Sequence, residues 1–176
     1  NALLFKVIRI YSDFHGIDRH IEECFERAKK DDLEGEPWQF VLPLANFPEA
    51  IHFSADEMGL VLGLKDDNVF NKIVDLDVIH NSLIDAEKLY SSERRALAAR
   101  LEADEVKGNM LSGNLSKEAY FALKPQMIEV NGLINDIKSS AKRDTAESFL
   151  AMKNLHKLLK ERLGLTYNIE SKFILE

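Results

Sequence analysis

Residues 65–101 contain neither proline nor glycine, and this limits the possible folds more than any other feature of the chain. Apolar side chains recur through the run at Val69, Ile73, Leu76, Ile79, Leu83, Ala86, Tyr90, Leu97 and Leu101. Steps of three and four place them on one face of a helix. Asp66 and Asp67 stand where the first turn would begin. Carboxylates there meet the positive end of the helix dipole, worth ~0.3–1 kcal/mol at an exposed site. Lys72, Asp75, Asp85, Lys88, Ser92 and Arg95 make the opposite face, which suits water.

A second run, 116–163, answers the first. Tyr120, Leu123, Met127, Val130, Ile134, Ile137 and Ala141 alternate three and four apart, which is about three heptads and the lower limit for a coiled-coil seam. Pro125 marks a kink or a helix start. The seam then slips through Thr145 and Phe149 before resuming at Met152, His156, Leu159 and Leu163. Asp144 and Glu147 have capping-box spacing, so a kink or short break is expected near residues 139–144. Gly164 is a natural stop, with Lys160 and Arg162 in the last turn. Such stripes ordinarily bury against a neighbouring helix. The sharper reading is an interface for a partner protein or a second copy.

Four further segments complete the plan. Residues 1–31 read as a first helix, with Phe14, Ile17, Ile21, Phe25 and Ala28 on one side and Asp18, Glu22, Glu26 and Lys29 on the other. In residues 35–53, Gly35, Pro37, Pro43 and Pro48 exclude a continuous helix, while Trp38, Phe40, Leu44 and Phe47 make the stretch too apolar for a solvated linker. An extended aromatic crossover laid over the helices is expected. Ser54 and Glu57 form a capping box that opens a short helix, 55–63, with Phe53 stapled onto Met58. Helices 67–103 and 117–163 would form a long antiparallel hairpin through a turn near Gly108 and Gly113. Residues 165–176 alternate like a short strand that could pair with the stretch 38–42. The expected fold is therefore all-α: one helical domain, 1–176, built as a bundle.

Composition narrows the partners. A net charge of −7, with every basic pair flanked by acids, argues against a nucleic-acid surface. A single cysteine, Cys24, excludes an internal disulfide and fits a reducing compartment. The apolar, lightly basic start is compatible with a membrane helix upstream. Lys6 and Arg9 would then favour the cytoplasmic side of a bacterial inner membrane.

Candidate chemistry is sparse. His20 and Cys24, four apart on one helix face, amount to half a zinc site. Asp77 and His80, three apart, resemble one carboxylate–histidine unit of a di-iron bundle, which needs two such units. Both pairs also fit ordinary packing. His156 beside Lys157 and Lys160 is a candidate phosphoacceptor, since histidine-phosphotransfer bundles are likewise helical and acidic. In those proteins Lys and then Gly follow the His more closely, and Gly164 comes too far along. Trp38, Phe40 and Phe47 could roof a small-ligand pocket between helices. No phosphate loop, nucleophile elbow or zinc-protease motif is present. The sequence thus points to a non-enzymatic interaction module without a cofactor. The alternative is a small-ligand sensor or carrier.

Overall fold

The computed structural model describes residues 2–101, 105–107, 110–112 and 115–165. It is an all-α fold. The elements are α1 (Ala2–Lys30), α2 (Pro37–Phe40), α3 (Ala55–Gly63), α4 (Asp67–Ala98), β1 (Glu105–Lys107), β2 (Met110–Ser112) and α5 (Lys117–Leu163). Cross-helix contacts give the directions. Lys72 meets Glu147 at 2.7 Å and Arg100 meets Gln126 at 2.9 Å, so α5 runs antiparallel to α4. The Tyr11 and Phe149 rings lie 5.4 Å apart and Lys138 pairs with Glu22 at 3.2 Å, so α5 also runs antiparallel to α1. Asp13 contacts His80, and His20 faces Glu87 one stretch further along, so α1 and α4 run parallel.

The three long helices enclose the core. Val7, Ile10, Phe14 and Ile21 from α1 are fully buried there, with Ile73 and Leu97 from α4 and Ile134, Ile137 and Leu155 from α5. Each such side chain contributes roughly 1.5–3 kcal/mol by leaving water. The helix starts are capped as their sequences require. Asp66 accepts from the Val69 N–H at 3.0 Å and Ser116 from the Ala119 N–H at 3.1 Å. At α3, Ser54 Oγ accepts from the Glu57 N–H at 3.3 Å, while Glu57 Oε2 accepts from the Ser54 N–H at 2.7 Å. Replacing Ser54 with Ala should cost about 1 kcal/mol, read as a lower urea midpoint at unchanged slope. Gly164 ends α5 at φ 65°, a left-handed conformation that glycine adopts without steric cost.

Four expectations need correction. First, α5 is unbroken through residues 139–144. Asp144 does not cap. It is buried and takes a two-point contact from Arg143 at 2.7 and 3.2 Å. The break is thereby excluded; the hydroxyls of Ser139 and Thr145 bond back to the Asn135 and Ala141 carbonyls of the same helix, a contact that bends a helix without interrupting it. Second, the seam does not slip. The buried line after Ala141 runs through Asp144, Ser148, Ala151, Met152, Leu155, Leu158 and Leu159. Two polar residues in core positions disguise its phase. Third, α4 ends at Ala98 rather than near 103, where the bonding tightens to Arg100 N–H→Leu97 and Leu101 N–H→Ala98. Fourth, the crossover is not extended throughout. Pro37–Phe40 forms one helical turn, with Pro37 in the first turn and Gln39 Oε1 accepting from the Glu36 N–H. The expected turn near Gly108 and Gly113 carries a small antiparallel pair, with Val106 opposite Leu111. The expected C-terminal strand lies outside the described residues from 166 onward.

Candidate functional site

In the crossover after α2 the Val41 N–H donates to the Pro37 carbonyl at 2.9 Å, and the buried N–H and C=O groups beyond it require partners too. Side chains of α1 and α4 supply them. Arg94 donates to the Trp38 carbonyl at 2.9 Å and to the Gln39 carbonyl at 3.3 Å. The Tyr90 hydroxyl donates to the Val41 carbonyl at 2.6 Å. His20 Nε2–H donates to the Leu42 carbonyl at 2.7 Å. At the far end, Asn81 grips both sides of Ile51. Its Oδ1 accepts from the Ile51 N–H at 3.1 Å and its Nδ2 donates to the Ile51 carbonyl at 2.9 Å. Asp77 accepts from the Phe53 N–H at 3.1 Å, and Lys6 donates to the His52 carbonyl at 2.9 Å. Residues 41–53 thus form a strap held to the helices by side chains.

A polar strip lies between α1 and α4. It contains Cys24, the inner edge of His20, Glu87 and Ser91. Glu87 is 2 % exposed and Ser91 3 %. Among the described residues, the buried Ser91 hydroxyl is without a partner. Glu87 and Ser91 are one helical turn apart and share a face, as do His20 and Cys24 opposite. Burial pushes the Glu87 carboxyl up to about 7, opposed by the positive field of His20. The contact with Cys24 lifts His20 to about 9; burial works against this and the Leu42 carbonyl helps. For Cys24, burial raises the thiol, but His20 and the Leu42 backbone outweigh it and the net direction is down.

Hydrogen-bond geometry limits the chemistry open to this strip. His20 Nε2 must carry a proton, because its nearest partner is a carbonyl, which can only accept. Cys24 Sγ stands 3.9 Å from that same nitrogen. A nitrogen already holding a proton cannot take the one on the thiol, so the two are not set as nucleophile and base.

The residues singled out from the sequence scatter. His20 and Cys24 belong to the strip. Asp77 lies further along α4, where it holds the strap and meets His52 Nδ1 at 3.1 Å. His80 is buried against the Phe14 ring, with its Nε2–H donating to Asp13 at 3.0 Å. Among the described residues no three His, Cys, Asp or Glu side chains gather where a metal ion could be held. His20, Cys24, Asp77 and His80 are therefore not one site. Trp38 is buried in the core, and Phe40 packs edge-on against Phe25 at 5.0 Å. Phe47 is half-buried on the strap. His156 is half-buried beside core Leu155.

Sequence reasoning missed Glu87, Ser91, Asn81, Tyr90 as a donor, and Arg94. One signal was available: Glu87 and Ser91 continue the spacing of the apolar line, at positions where a strict pattern would place apolar side chains. No helix among the described residues is long and apolar enough to cross a membrane. No protein-family model, curated protein or solved structure matches the chain.

Proposed function

We propose that this chain is a non-enzymatic helical interaction module that binds a protein partner or a second copy through the outer faces of its helices. The observation that carries the reading is an apolar surface on α5. Phe121 and Ile128, two turns apart on one face, are 57 % and 63 % exposed. The Tyr120 ring packs edge-on against Phe121 at 5.7 Å, and Lys124 lies over Tyr120 at 5.8 Å. Isolated exposed apolar residues are ordinary, but aromatic and aliphatic side chains aligned on one helix face are what a docking helix covers. The heptad spacing of the chain supports a coiled-coil style of contact. In the same reading the module is cytoplasmic and tethered to a bacterial inner membrane by a helix upstream.

Size-exclusion chromatography with light scattering, and cross-linking in native extract, test the proposal. The double substitution F121S/I128S should abolish association while leaving the helical circular dichroism unchanged, because neither side chain is in the core. A wild-type chain that stays monomeric and captures nothing would remove the proposal. A second reading, a small-ligand sensor, is supported by the unpartnered Ser91 hydroxyl between α1 and α4. A thermal-shift screen of small polar metabolites tests it, and a flat screen would end it.

A further inference from the structure

We propose that the chain binds a second copy of itself, the outer line of α4 on one copy lying antiparallel along the outer line of α5 on the other. The inference rests on the reading of the protein as an interaction module and names the partner of two of its outer faces. A single line of threes and fours runs along α5 from Lys117 to Lys160, and every side chain on it is exposed. It carries Lys117, Lys124, Lys142, Lys153, Lys157 and Lys160, with no acid among them. Phe121, Ile128 and Leu150 stand between the lysines and are exposed too. The acids of α5 fall off this line. Asp144 is buried, and Glu147 turns toward α4, where it holds Lys72.

A second line, Asp67 to Ala96, runs along α4 at the same spacing and is also exposed throughout. Asp67 and Asp85 are the charged residues on it, and both are acids. Val74, Val78 and Leu89 are its exposed apolar residues. The two lines are thus opposite in charge and alike in apolar content, which is the complementarity that selects a partner and sets its register. Spacing agrees with charge. Asp67 and Asp85 are 18 residues apart, and so are Lys124 and Lys142. That is about five helical turns, so both pairs stay on their faces. In the antiparallel register Asp67 of one copy meets Lys142 of the other while Asp85 meets Lys124. Leu89 then falls beside Phe121, and Val78 lies within a turn of Ile128. Asp85 also touches Lys88 of its own helix at 3.3 Å, an exposed pair of the kind that contributes little. With a net charge of −7, the molecule outside the lysine line is more acidic still, which suits an acidic surface of another copy and disfavours nucleic acid.

Sedimentation of the full chain over a range of concentrations reads the contact. Self-association should weaken by roughly tenfold or more between about 50 mM and about 500 mM salt, because exposed charges are screened. D67K/D85K and K124E/K142E should each weaken it by roughly tenfold or more, with circular dichroism unchanged because all four side chains are exposed. Mixed together, the two variants should associate again, since the acidic α4 line of one meets the lysine line of the other. Both keep a net negative charge, each shifting −7 by only four, so bulk attraction does not account for the recovery. Self-association that neither variant weakens, or that mixing does not restore, overturns the α4–α5 contact and leaves the interaction module standing. A monomeric wild type overturns the contact, and the module falls with it only if native extract also yields no partner. A monomeric wild type that floats with phosphatidylglycerol vesicles overturns it as well, and assigns the lysine line to an anionic bilayer.

Discussion

Stability should fall by about 3 kcal/mol as pH rises from below 5 to 8, and E87Q should remove most of that fall. The Glu87 carboxyl is raised to about 7 in the folded protein against 4.5 in the unfolded chain. Over that window the folded state binds a proton that the unfolded state has released. The contribution is therefore fully present below 4.5 and is lost as pH climbs through about 7. The difference of roughly 2.5 units, at ~1.36 kcal/mol each, sets the size, and the near-complete burial of Glu87 justifies the conversion. His20 adds a loss of the same sign, present below 6.5 and gone as pH rises through about 9. Its ring is half-exposed, so its share is small. The lowered Cys24 thiol acts oppositely, adding stability only toward the alkaline end. Urea unfolding at pH 5 and pH 8, wild type against E87Q, isolates the Glu87 part because every other group cancels. Parallel pH curves for the two proteins would contradict this account of Glu87.

Asn81→Ala should be costly, at about 2–4 kcal/mol. Its amide is the partner of both the N–H and the C=O of Ile51, and it also donates to Asp77 at 3.0 Å. Ile51 is buried, so both backbone groups would lose their partners away from water, at roughly 1–3 kcal/mol each when left unmade. Asn81→Asp is the more informative variant. It keeps an acceptor for the Ile51 N–H but turns a second carboxylate oxygen toward the Ile51 carbonyl and the Asp77 carboxylate. Its defect should be large at neutral pH and should shrink in acid, where the new carboxyl protonates and can donate. Denaturant midpoints at pH 4 and pH 7 distinguish the two variants. Equal losses for both at each pH would show that shape, not the donor–acceptor pairing, is what Asn81 contributes.

Much of the architecture was legible in residue order. Helix starts at Ser54, Asp66 and Ser116 and the stop at Gly164 are local events, decided by side chains within one turn, so sequence reading found them. Errors arose where polar residues occupy core positions. An apolar count skips His80, Glu87, Asp144 and Ser148, and so moves the buried line to Ile79, Ala86, Thr145 and Phe149. The candidate site suffered most. His20 and Cys24 were visible because four-residue spacing puts them side by side. Their neighbours Glu87 and Leu42 are distant in sequence, and nothing local marks them.

Helical class, the four longer helices and most of their ends follow from the sequence alone. They depend on periodicity, capping and the placement of glycine and proline, all of which act over a few residues. Only the tertiary structure determined that the strap would be held by side chains, and that Glu87 would be buried beside His20. Those facts depend on three helices meeting at one depth, where the burial of one group is set by elements tens of residues away.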